Sequence, residues 1–182
     1  MLNVNETITT LKNMNEILEN LYIGIAAKEK SLLFETKPAP YGIDDIVQHL
    51  YVNVNDSQII IPKGAYGINT DMLWNTALEN TKRESKTFKF DAGMFTVITN
   101  NSGIKGASSI VNEELMQNIS KKEHTNKFVL LPSSIHEVLL IPVIGIMSKE
   151  DMDRYNTMVK EVNTQVVSKN ERLSDHAYYI EI

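Results

Sequence analysis

At 182 residues the chain is long enough for one domain with a sizeable hydrophobic core and too short for two of ordinary size. Its 42% hydrophobic and 23% charged residues are those of an ordinary globular protein, which excludes a disordered or fibrous chain. With no cysteine there is no disulfide framework, thiolate metal site or cysteine nucleophile, and a net charge of −5 opposes broad binding to phosphate backbones.

In chain order, Ile8, Leu11, Met14, Leu18, Leu21 and Ile25 recur at spacings of three and four, which predicts a helix from Asn5 to about Lys30. Its narrow stripe suits docking on the body or a dimer seam, so a monomer or weak homodimer is expected. Lys37-Pro38-Ala39-Pro40-Tyr41-Gly42 breaks the pattern, and divides an N-terminal helix with its linker (1–41) from the main body (42–182). His49 to Asn55 alternates as a half-buried strand. Asp56-Ser57 turns it, and Gln58 to Ile61 returns. Thr70 is placed to cap a short helix through Leu73, Trp74, Ala77 and Leu78 to about Asn80, with Trp74 as a core anchor.

A charged connection with a short edge strand at Thr87 to Phe90 follows. Met94 to Thr99 then reads as a strand, Asn100 to Gly103 as a turn and Lys105 to Val111 as its return. Asn112 caps a helix with Glu113 and Glu114 at its start and Lys121 and Lys122 at its end, matching the dipole. The densest apolar block, KFVLLPSSIHEVLLIP over residues 127–142, is split by Pro132-Ser133-Ser134 into two strand-length runs. This predicts a hairpin through the core, its second strand apolar on both faces from Val138 and therefore central. A capping-box start at Ser148 precedes a helix with Met152, Tyr155, Val159 and Val162 buried, ending near Asn163, and the tail closes with a strand at His176 to Ile180. The fold class is α+β: a mainly antiparallel sheet of hairpins with three amphipathic helices, besides the N-terminal helix.

The polar residues that carry chemistry gather at that hairpin turn and in the tail. Ser133 or Ser134, His136 or His176, and Asp175 are the parts of a serine-type triad, without the nucleophile elbow that would accompany it. His136, Glu137, Asp175 and His176 have the right chemistry for a metal, but no H-x-H or H-E-x-x-H spacing holds them, so no metal is assigned. The bland alternative is that they satisfy buried polar groups at a strand end. No phosphate-binding or dinucleotide loop occurs, and no cofactor is expected. Basic residues cluster only among interleaved glutamates, so direct nucleic-acid binding is not expected and a basic protein partner is. No signal segment or apolar span opens the chain. A cytoplasmic protein without membrane contact is the expectation.

The blocks DMLWNTALENT, FTVITNNSGIKGASSIV, LPSSIHEVLLIP and MVKEVNTQVVSKNERLSDHAYYIEI together resemble the C-terminal part of an uncharacterised bacterial family, found mostly in Gram-positive gut bacteria and their mobile elements. The resemblance runs over residues 44–182, and family members are usually longer at the N-terminus. It implies that Pro132, Ser133, Ser134, His136, Glu137, Asn163, Glu171, Ser174 and Asp175 converge, with the tail beside the central hairpin. The expected function is that of a non-enzymatic protein-binding module from a mobile element or phage. Its partner would be a host protein, basic or nucleic-acid-binding, in a defence system. A hydrolase using the His/Glu/Asp cluster is the alternative.

Overall fold

The computed structural model describes residues 14–55, 57–64, 70–90 and 94–182. Among the described residues the first element is a helix, α1 (Met14–Glu19). Asn20 ends it by donating from its side chain to the Glu16 carbonyl. The chain then becomes strand β1 (Leu21–Ala27), not a continuation of the helix to Lys30. Leu21 and Ile25 satisfy a helical stripe and a strand alternation equally. Ile23 between them fits only the alternation, and all three enter the core, which removes Leu21 and Ile25 from any seam. The rest of the expected stripe, Ile8 and Leu11, lies outside the described residues.

β1 pairs antiparallel along β3 (Ile46–Val54), and on the other side of β3 lie β2 (Thr36–Pro38) and then β4 (Ser57–Ile60). Residues 21–38, expected as helix and linker, thus supply two strands of this first sheet. α2 (Thr70–Glu84) runs one turn past the expected stop, because its far end is bolted to α1 and β1: Asn80 donates to the Leu18 and Leu21 carbonyls at 2.8 Å, and the Ile23 N–H donates to Thr81 Oγ1 at 3.0 Å.

The second sheet has five antiparallel strands in the order β5 (Ser85–Phe90), β6 (Phe95–Asn100), β8 (Val138–Pro142), β7 (Lys127–Leu131), β9 (Tyr178–Glu181). The β7–β8 hairpin forms as the apolar runs predict, β8 is central, and the tail strand β9 lies against β7. β8 begins at Val138, so His136 and Glu137 sit in the connecting loop.

Residues 105–111 do not return as a strand. They form a 3-10 helix, Gly106–Val111. Lys105 enters it at φ +55, and the hydroxyls of Ser108 and Ser109 donate to the carbonyls of Lys105 and Thr99 (2.9 and 2.7 Å), competing with sheet pairing. α3 (Glu113–Glu123) follows, and Asn112 caps it by accepting from the Leu115 N–H. α4 (Lys149–Gln165) starts with the full Ser148–Asp151 capping box.

The main core lies where Leu21, Ile25 and Leu50 of the first sheet meet Ile98, Leu140, Phe128 and Ile180 of the second, with Trp74, Ala77 and Met116 from the helices. Each fully buried aliphatic side chain there contributes about 1.5–3 kcal/mol. A smaller core seats α4, through Val159, on the opposite face of the second sheet at Val129 and Leu131. Val162, expected to be buried, is 41% exposed, whereas Asn163 beside it is buried at 1%.

Candidate functional site

The β7–β8 loop (132–137) and the α4–β9 loop (166–177) lie side by side, joined by the Ile135 N–H donating to the Glu171 carbonyl at 2.9 Å. Ser134 Oγ accepts from the His136 N–H at 3.0 Å. His136 is held at both ring nitrogens. Nδ1 accepts from the Lys105 N–H at 3.2 Å, which places the ring hydrogen on Nε2, and Nε2 lies 3.4 Å from Glu171 Oε1. Ser168 first and His136 second hold the Glu171 carboxyl below its ordinary range.

Asp45, just ahead of β3, is the hub of the second group. Its Oδ2 accepts from Ser174 Oγ at 2.9 Å and lies 3.2 Å from His176 Nε2, while Oδ1 accepts from the Tyr178 hydroxyl. Burial, together with the bond to this carboxylate, raises the Tyr178 phenol well above its usual range. The other nitrogen of His176 faces the Ala177 carbonyl at 3.2 Å. Asn163 braces the same loop, donating to the Ser174 carbonyl (2.9 Å) and Asp175 Oδ1 (2.7 Å).

Asp45, Ser174, Asp175 and His176 edge an open cleft of about 910 Å³ lined also by Lys28, Lys169 and Arg172. Lys30 crosses it and donates to the carbonyls of Lys169 (2.7 Å) and Arg172 (2.9 Å), tying the end of β1 to the tail loop.

Sequence reasoning missed a third group, on the face of the first sheet away from the main core. His49 is 2% exposed beside Phe34 and Tyr51, with neither ring nitrogen hydrogen-bonded among the described residues. Burial, with nearby Lys105 adding, holds its pKa at about 3, so the ring is neutral. Lys105 Nζ lies 5.0 Å from the centre of the Tyr51 ring, and burial lowers its own pKa. The alternation of β3 marked His49 and Tyr51 as sharing a face; nothing local tied Lys105 to them.

Of the expected site residues, His136 meets Ser134 and Glu171, and Ser174 and Asp175 meet Asn163. No hydrogen bond or ion pair among the described residues joins a Ser133 or Ser134 hydroxyl to a histidine ring, or Asp175 to His136 or His176. Ser133 lines a small apolar crevice with Pro132 and Asn163 instead, and Glu137 enters the loop through its carbonyl, which accepts from the Ser134 N–H. Among the described residues no three of the His, Asp and Glu side chains stand close enough to hold a metal ion, and no helix is long and apolar enough to cross a membrane.

No curated protein and no solved structure matches this sequence. A family model does match, over residues 3–181, a wider span than the 44–182 of the sequence resemblance. The chain therefore belongs to the family of unknown function DUF5688.

Proposed function

We propose that this chain is a protein-binding module that acts by contact and not by turnover. The observation that carries the reading is the β8–α4 loop, where Ile144 and Ile146 are 91% and 96% exposed on either side of Gly145. Gly145 takes φ +93, which turns the loop so that both isoleucines project. Two apolar side chains this far from their own core suit the centre of an interface. The start of α4 beside it carries Glu150, Asp151 and Asp153 against Lys149 and Arg154, with Glu150 paired to Arg154, a slight acidic excess in keeping with a net charge of −5 and with a basic partner. Within this reading the chain belongs to a mobile element or phage, and the partner is a host protein, nucleic-acid-binding or part of a defence system.

The hydrolase reading is less favoured by the geometry. A general base needs a ring nitrogen aimed at substrate or at a nucleophile's hydroxyl, and those of His136 and His176 face a backbone N–H, a backbone carbonyl and two carboxylates instead.

A pull-down from host lysate at rising salt, with the protein and with Ile144→Asp plus Ile146→Asp, tests the proposal. A salt-sensitive partner lost in the double variant, whose melting is unchanged, is the expected result. Recovery of no partner, together with ester, phosphate or nucleotide turnover that His136→Ala abolishes, would promote the hydrolase.

A further inference from the structure

We infer that the outer edge of β5 is an interface for a second copy of this chain, formed by β5 pairing antiparallel with itself across a twofold axis. β5 ends the five-stranded sheet, and among the described residues its outer side pairs with no strand. An unpaired edge of this kind is a template for another strand.

One face of that edge carries Lys86 and two uncovered aromatic rings. Phe88 and Phe90 are 45% and 59% exposed, and the Phe90 ring lies 6.5 Å from that of Phe95. Phe95 leads into the crevice between the sheet and α4, whose rim carries the exposed Met158 and Val162. The apolar strip therefore runs from the open edge to the helix without a polar break.

The sequence of β5, Ser-Lys-Thr-Phe-Lys-Phe, is complementary to itself in that arrangement. A twofold perpendicular to the sheet passes beside one residue, sets it opposite its own copy, and keeps the phenylalanines of both copies on one face. An axis at Lys86 would oppose two ammonium groups, and one at Ser85, Lys89 or Phe90 lies too near an end of β5 to pair most of it, which leaves Thr87 and Phe88. An axis at Thr87 sets Lys86 opposite Phe88 of the other copy, and one at Phe88 sets it opposite Phe90. In both permitted registers Lys86 meets an aromatic ring on its own face, a cation–π pairing. The two sheets then join edge to edge, and the exposed rings of the two copies cover one another.

Light scattering across a concentration series tests this on the whole chain. The protein is expected to dimerise. Phe88→Lys plus Phe90→Lys, which places ammonium groups against Lys86, is expected to weaken the dimer by about tenfold or more while leaving the far-UV spectrum and melting unchanged. Because the chain has no cysteine, Phe88→Cys and Thr87→Cys give a second readout. One of them is expected to form an intermolecular disulfide on mild oxidation. A protein monomeric at every soluble concentration overturns the proposal. So does a dimer that survives the double lysine variant, or one that neither cysteine variant cross-links.

Discussion

His176 Nε2 stands 3.2 Å from Asp45 Oδ2, and this contact joins the tail ahead of β9 to the entry of β3 in the other sheet. The Asp45 backbone carbonyl also accepts from the Lys28 N–H at 2.8 Å, next to the last β1–β3 pair. The carboxylate gathers Ser174 and His176 of the tail loop and Tyr178 of β9, and together with the Lys30 bridge it ties the first sheet to the tail.

Asp45→Ala is therefore expected to destabilise the fold by roughly 1–2 kcal/mol, the lower part of the range for charge-assisted hydrogen bonds, since the group is half exposed and screened. Urea denaturation checks it. Ser174→Ala alone should cost less, because His176 and Tyr178 keep the carboxylate satisfied.

His49 makes stability depend on acid. Its pKa is about 3 when folded, against an ordinary 6.5, so between those values the unfolded chain binds a proton that the folded chain does not. Stability is full above about pH 6.5 and falls as pH drops toward 3, with a slope from this group of up to about 1.4 kcal/mol per pH unit. In His49→Leu that part of the slope should vanish, with neutral-pH stability unchanged or raised, because a ring with two unbonded nitrogens leaves the interior. Denaturation midpoints at pH 7, 6 and 5 decide it, and a variant with the wild-type slope would remove His49 as the cause.

Two buried glycines should respond differently to alanine. At Gly24 a Cβ would lie 2.5 Å from His49 Nε2, a side-chain atom, so the ring can move at some cost. At Gly106 it would lie 2.5 Å from the Asn100 N and 2.7 Å from the His136 O, both backbone. Gly106→Ala is expected to be the more harmful, at roughly 3 kcal/mol or above, and Gly24→Ala to cost about 1–3 kcal/mol. Gly24→Ala should also be partly rescued by His49→Ala, whereas no single side-chain truncation rescues Gly106→Ala. Thermal melts of the wild type, the two glycine variants and the Gly24→Ala plus His49→Ala pair give the comparison.

His136→Ala should lower stability by about 1 kcal/mol, because the Lys105 N–H loses its acceptor at the strained entry to the 3-10 helix. Unchanged melting combined with lost biological activity would instead make His136 an active-site residue.

Much of the second sheet was legible in the sequence because its signals are local. Pro132-Ser133-Ser134 between two apolar runs specifies a hairpin, and Ser148 with Asp151 specifies a helix start, whatever surrounds them. The misses come where two local readings are equally good. Leu21 and Ile25 suit either period, and only pairing with β3 selects the strand. Ser-Ser-Ile-Val at 108–111 has strand propensity, but the left-handed turn at Lys105 and the tight seat of Gly106 against Asn100 and His136 bend it into a 3-10 helix. The candidate site was legible in part: the tail does lie beside the hairpin and His136 meets Glu171 across the two loops, but Ser174 and Asp175 gather with Asn163 and Asp45 instead of with His136. Asp45 could not be read, because its partners are 129 or more residues away and no periodicity connects them.

The bridge from Lys30 to the carbonyls of Lys169 and Arg172 spans 139 and 142 residues of chain. Closing a loop of that length costs more entropy than closing the hairpins that form β3–β4 or β7–β8, so the bridge has little hold until both sheets exist. The cleft it crosses is then among the last features to assemble and the first to open. In refolding, β7–β8 pairing should precede closure of the tail over Asp45, and truncation of the Lys30 side chain should speed unfolding while leaving the folding rate nearly unaltered.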